Sequence, residues 1–91
     1  MTLERRRILY SGAVQGVGFR WTTAASLKDV AVSGYVRNLH DGRVELVVEG
    51  EPLDVDEAVR RVREALARHI ASETVERTSA TGEFRGFGVR R

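Results

Sequence analysis

Apolar and polar residues alternate across residues 6–14 ("RRILYSGAV"). Ile8, Tyr10, Gly12 and Val14 fall on one side, the period of a half-buried strand. A glycine-rich turn follows, and residues 21–30 ("WTTAASLKDV") read as a short helix. Residues 32–39 ("VSGYVRNL") predict a second strand. In "HDG", residues 40–42, a glycine after aspartate accepts the positive φ of a hairpin turn. Residues 43–49 then predict its antiparallel partner, with Val44, Leu46 and Val48 on one face. Across residues 53–70 the apolar positions recur every three to four residues: Val55, Ala58, Val59, Val62, Ala65, Leu66 and Ile70 form one helical stripe. Asp54 is placed to cap this helix, with Glu57 three residues on as its capping-box partner. Residues 74–79 and 85–90 predict two closing strands around Gly82.

The order is β-α-β-β-α-β with one extra C-terminal strand. Right-handed crossovers place both helices on one face of the sheet. The predicted fold is therefore α+β, a ferredoxin-like two-layer sandwich with an antiparallel sheet and two helices on one face. The 91 residues have room for one domain, spanning 1–91, with no linker or repeat.

Composition narrows the chemistry. A 42% hydrophobic and 31% charged chain is ordinary for a globular protein. No apolar run is long enough to cross a bilayer, and the N-terminus lacks a signal-peptide core, so a cytoplasmic protein with no membrane partner is expected. The absence of cysteine removes disulfides and thiolate chemistry together. The net charge of +2 suits an anionic ligand but is weak evidence for nucleic acid.

The chemistry concentrates in "GAVQGVGFRW", residues 12–21. The predicted helix after it has no Ser, Thr, Asp or Asn in capping position, since Gly18, Phe19 and Arg20 precede it. A helix start leaves four backbone N–H groups to be satisfied, by water or by an anion. Glycines let the chain curl so that successive N–H groups converge, and Arg20 adds a planar, permanent charge suited to phosphate. Glycines after a strand serve equally to make a tight turn. Nucleotide motifs do not fit: a P-loop ends in Gly-Lys-Ser/Thr, whereas this loop ends in Gly-Phe-Arg. Asn38, before the hairpin turn, is either a turn-flanking Asn bonded to its own backbone or a neutral amide that orients a water.

Together, "GAVQGVGFR" and "SGYVRNLHDGRVELVVEGE" resemble the acylphosphatase family over nearly the whole chain. In that family a G-x-V-Q-G-V-x-F-R loop binds phosphate, and an Asn eighteen residues after the Arg holds the attacking water; Arg20 and Asn38 have that spacing. The resemblance implies a metal-free, cofactor-free, monomeric hydrolase of small acyl phosphates such as acetyl phosphate, with inorganic phosphate as an inhibitor. The backbone N–H groups of Gln15, Gly16, Val17, Gly18, Phe19 and Arg20 would grip the phosphoryl oxygens. The family usually has Leu-Gly-Leu where Val30, Ala31 and Val32 stand, so Ala31 implies a strained or different helix ending. It also often has Trp at Tyr35 and Pro at His40. A related domain opens larger hydrogenase-maturation proteins; beginning at Met1, this chain reads as the free enzyme.

Other features have plainer readings. His40 and His69 are far apart in the chain and make no metal site. The "DVD" of residues 54–56 compensates a helix dipole. The basic chain ends and the topology allow an RNA-binding module or a non-catalytic phosphate binder as rivals. Against RNA, the outward positions Leu9, Ser11, Glu45 and Val47 offer no aromatic to stack a base. Phe19 is expected in the core, Trp21 half-exposed beside the site, and the Arg91 carboxylate near Arg20.

Overall fold

The computed structural model describes residues 2–91. Its elements are β1 (Glu4–Gly12), α1 (Phe19–Ser26), β2 (Ser33–Asn38), β3 (Val44–Gly50), α2 (Pro52–Leu66), a 3-10 turn (Ala67–His69), β4 (Ile70–Ser79) and β5 (Phe87–Arg90). The sheet order is β4-β1-β3-β2-β5. This is the expected sandwich with its extra strand, but the sheet is mixed, because β5 runs parallel to β2. The reason lies in the other four strands. β4, β1, β3 and β2 alternate in direction, so the two edges of that set are opposed. A chain that reverses after β4 and crosses to the far edge must run with β2.

One face of the sheet meets both helices. Ile8, Tyr10, Val36, Val44, Leu46 and Val48 pack there against Phe19 and Leu27 of the α1 region and against Val55, Val59, Val62 and Leu66 of α2. Burial of each such side chain stabilises the fold by about 1.5–3 kcal/mol. The helical stripe is narrower than its spacing predicts. Ala65 is exposed, and Ile70 belongs to β4, because the 3-10 turn interrupts the helix after Leu66.

The capping box at Asp54 does not form. Glu51 is the cap residue, with Pro52 in the first turn and no side-chain cap hydrogen bond. Proline needs no N–H partner there and sets the first turn. Glu57 instead accepts hydrogen bonds from Arg60 and Arg61, which hold its carboxyl down at about 2. Asp54 lies in the first turn, where its charge opposes the helix dipole, and Asp56 pairs with Arg6 at 2.8 Å. α1 begins two residues earlier and ends four residues earlier than its pattern suggests. Its end needs no left-handed residue: Leu27 N–H closes on Thr23 and Ala24 carbonyls, and Val30 N–H on Leu27. Ala31 follows with no positive φ, so a different ending replaces the strained one.

The other face is roofed rather than open. Glu45 and Val47 occupy the outward positions of β3, yet both are buried. Glu45 accepts 2.6 Å hydrogen bonds from Arg7 and Arg37, and Tyr35 lies under the Arg90 guanidinium at 4.1 Å. Burial pushes the Glu45 carboxyl up, and the hydrogen bonds from Arg7 and Arg37 outweigh it, leaving the carboxyl below its ordinary range. Among the described residues no helix is long and apolar enough to cross a membrane.

Candidate active site

The loop between β1 and α1 starts at a bulge. The β1–β4 register shifts between Ser11 and Gly12, and a Cβ on Gly12 would stand 2.6 Å from the His69 carbonyl oxygen. The strand therefore ends against β4, and the chain turns away over the end of the sheet. Gly16 and Gly18 take φ of 76° and 77°. A Cβ at either would meet nothing within 4 Å, so these positions need glycine for their backbone sign and not for space. Gly18 is the N-cap of α1, and no side chain caps the helix. No hydrogen bond among the described residues engages the backbone N–H groups of residues 15–20. Of this loop, Gly16, Gly18, Phe19 and Arg20 line a cleft.

That cleft has a volume of about 440 Å³, in the range of small-molecule sites. Gly16, Gly18 and Arg20 from the loop and α1, Asn38 from β2 and Val89 from β5 all line it. Arg20 comes from the first turn of α1, and Asn38 is the last residue of β2. Asn38 shares the helix-facing side with Val36 by strand alternation. Its side chain makes no hydrogen bond among the described residues, so the self-bonded turn reading does not hold. Two residues eighteen positions apart thus meet across one cavity.

Several residues position this pair, and pattern reading missed them. Gln15 was read only for its backbone, yet its Nε2 donates to the Leu39 carbonyl at 2.7 Å and the Arg43 carbonyl at 2.9 Å. Those carbonyls close the β2–β3 turn, where Leu39 N–H also bonds Arg43. The glycine loop and the strand end bearing Asn38 are therefore tied by one side chain. Arg20 is held differently from the expectation. Its Nη1 donates to the Arg90 carbonyl at 3.0 Å, and it makes no ion pair with the Arg91 carboxylate; Arg91 only lines the same cleft. The backbone carbonyl is presented by β5 because β5 pairs with β2 in register, Arg37 beside Arg90.

The connection to β5 is itself anchored by Glu49. This buried carboxylate accepts from the Thr81 and Gly82 N–H groups and the Thr81 hydroxyl at 2.9–3.0 Å. Burial raises its pKa, but those hydrogen bonds prevail and lower it. Only the register of the strands could have revealed these links. Phe19 is buried on Tyr10 at 5.2 Å as expected, whereas Trp21 is more exposed than expected, at 75%.

Comparison with known proteins fits this geometry. A family model described as Acylphosphatase matches residues 6–89. The chain belongs to the acylphosphatase family. It is 48% identical to the acylphosphatase of Rubrobacter xylanophilus over 96% of this chain and 80% of that one. With the acylphosphatase of Methylococcus capsulatus it shares 41% identity over 98% of each chain. The crystal structure of acylphosphatase from Bacillus subtilis superposes with a TM-score of 0.87 at 27% identity, over 97% of this chain and 99% of that one. Full-length HypF in its phosphate- and nucleotide-bound form matches at a TM-score of 0.82 and 25% identity, covering 98% of this chain and 12% of HypF. The family's activity is acyl phosphate hydrolysis, and this chain is an acylphosphatase with a small-molecule acyl phosphate as its substrate.

Proposed function

We propose that the cleft between the glycine loop and β2 is where the acyl phosphate is bound and hydrolysed. The observation that carries this reading is one cavity lined by Gly16, Gly18, Arg20 and Asn38 at the uncapped start of α1. The backbone N–H groups of residues 15–20 grip the phosphoryl oxygens at the positive end of α1. Arg20 neutralises charge on those oxygens as it develops, with its fork aimed by the Arg90 carbonyl. Asn38 orients a water in line with the bond to be broken. The water oxygen forms a bond to phosphorus while the bond from phosphorus to the acyl oxygen breaks. The leaving group is a carboxylate with a conjugate-acid pKa of about 4, so it departs without a proton. The proton of the attacking water passes to a phosphoryl oxygen, which suits a site whose Asn38 amide is no base. Positioning and charge stabilisation suffice for this transfer.

The direct test is hydrolysis of acetyl phosphate by the purified protein in EDTA. Metal-independent turnover, inhibited competitively by inorganic phosphate, is the expected result. Binding of phosphate without turnover favours the non-catalytic module instead. An RNA role is disfavoured by the roofed sheet face, where Tyr35 lies under Arg90 and Glu45 holds two arginines.

Gln15 gives a further prediction. Gln15→Leu removes both donors to the β2–β3 turn and keeps the loop backbone. It is expected to lower kcat about tenfold, as displacement of a positioned group does. The phosphate inhibition constant should stay within about threefold, because the N–H cradle and Arg20 remain. A parallel loss in both would show that Gln15 shapes the cradle itself and not the placement of Asn38.

A further inference from the structure

Six large apolar side chains stand exposed among the described residues: Leu3, Val17, Trp21, Leu53, Val75 and Val89. Two of them, Trp21 and Val89, line the cleft of Arg20 and Asn38. Val17 follows the lining glycine 16 in sequence and precedes the lining glycine 18. The clustering is not required by packing. Trp21 is 75% exposed on a helix whose buried side is carried by Phe19 and Thr23. Its neighbour in sequence, Arg20, is half-buried and donates to the Arg90 carbonyl, and both side chains line the cleft. Val89 approaches from β5, on the same side of that strand as Phe87, which packs on the core.

The cleft is thus divided. Arg20 and Asn38, both half-buried, bring a guanidinium and an amide to its lining, and the exposed Trp21 and Val89 bring an indole and a valine. An acyl phosphate is divided in the same way, with a charged phosphoryl end and an acyl substituent on the other side of the bond that breaks. With the phosphoryl group at Arg20 and Asn38, the exposed indole and valine are left to meet the acyl substituent.

From this division we infer that Trp21 and Val89 form an acyl subsite that selects acyl phosphates with an apolar, preferably aromatic, acyl group. The inference rests on the placement of the phosphoryl group proposed above. Because the contact is made by a part of the substrate that does not react, it is equal in ground and transition states and acts on KM more than on kcat. An indole face covered by an aromatic ring corresponds to about tenfold in affinity.

The test compares benzoyl phosphate with acetyl phosphate in the wild type, Trp21→Ala and Trp21→Phe. Trp21→Ala is expected to lower kcat/KM for benzoyl phosphate about tenfold, through KM, and to leave acetyl phosphate within about twofold. Trp21→Phe should restore most of the loss. Trp21 is the chain's only tryptophan, so a binding readout is available without turnover. Benzylphosphonate should change its emission at concentrations where methylphosphonate does not. Equal losses on both substrates, or none on either, overturn the subsite. So does a Trp21-dependent dimer in light scattering with unchanged substrate preference, which would make the indole a contact between copies. If the wild type hydrolyses neither substrate, the proposed reaction itself fails; if it hydrolyses both with no preference lost in Trp21→Ala, only the subsite does.

Discussion

Asn38→Ala is expected to lower kcat for acyl phosphate hydrolysis about a thousandfold while phosphate still binds, the loss seen when one preorganised polar group is removed from a transition state. The Asn38 amide makes no hydrogen bond among the described residues, so its removal leaves no described partner unpaired. The variant should therefore melt within a few degrees of the wild type. Arg20→Ala should behave differently. It removes the charge that meets the phosphoryl group in both ground and transition states, so KM rises, kcat falls and phosphate inhibition weakens together. Arg20→Lys keeps the charge without the fork and should recover little of it, since one Nη1 is committed to the Arg90 carbonyl and the remaining donors must meet phosphate. The pair of phenotypes is the check. Steady-state kinetics with phosphate as a competitor separates them, and an Asn38→Ala protein that is folded yet no longer binds phosphate would place Asn38 in the anion cradle and not on the water.

The contrast between these residues and their supports explains how much of the site was legible. Arg20 and Asn38 stand out as a pair through the family resemblance and its eighteen-residue spacing; read locally, the glycine-rich turn serves equally as a tight turn and Asn38 as a turn-flanking residue. The β2–β3 hairpin was equally plain, because the alternation of Val44, Leu46 and Val48 and the Gly42 turn define it. What the pattern does not contain is register. That β5 lies parallel to β2, with Arg90 beside Arg37, follows from the directions of four other strands. The Arg90 carbonyl on Arg20 and the Glu49 latch on Thr81 and Gly82 depend on that placement. The same limit explains Glu45. A glutamate on the outward side of a strand reads as solvated, and only two arginines from β1 and β2, both neighbours of β3, bury it. Helix ends failed for a nearer reason. Pro52 in the first turn set the start of α2, and so displaced the Asp54–Glu57 box.

Gly34 is the position where one methyl group is expected to do most harm to the fold. Nothing in "VSGYV" marks it, since a glycine inside a strand reads as a weakness and no more. In the sheet it takes a φ of 139° and pairs with Val48, and its N–H donates to the Gly86 carbonyl at 2.9 Å. A Cβ there would stand 1.9 Å from the Val47 carbonyl oxygen and 2.8 Å from its carbon. Both are backbone atoms of the strand that crosses the centre of the sheet, so no rotamer change relieves the overlap. Gly34→Ala must push β2 away from β3 and disturb the strand that ends in Asn38. The cost is expected to exceed about 4 kcal/mol, a large part of the 5–15 kcal/mol that holds a typical domain. Gly82→Ala separates the two contributions. Gly82 also has a positive φ, 73°, but a Cβ there meets nothing within 4 Å. That variant carries backbone strain alone, about 1–2 kcal/mol. Chemical denaturation of the two should therefore differ widely, with Gly82→Ala folded and active and Gly34→Ala unfolded or melting some tens of degrees lower. Equal midpoints would mean that the close approach of β2 and β3 relaxes freely, and that only the sign of φ demands glycine in this sheet.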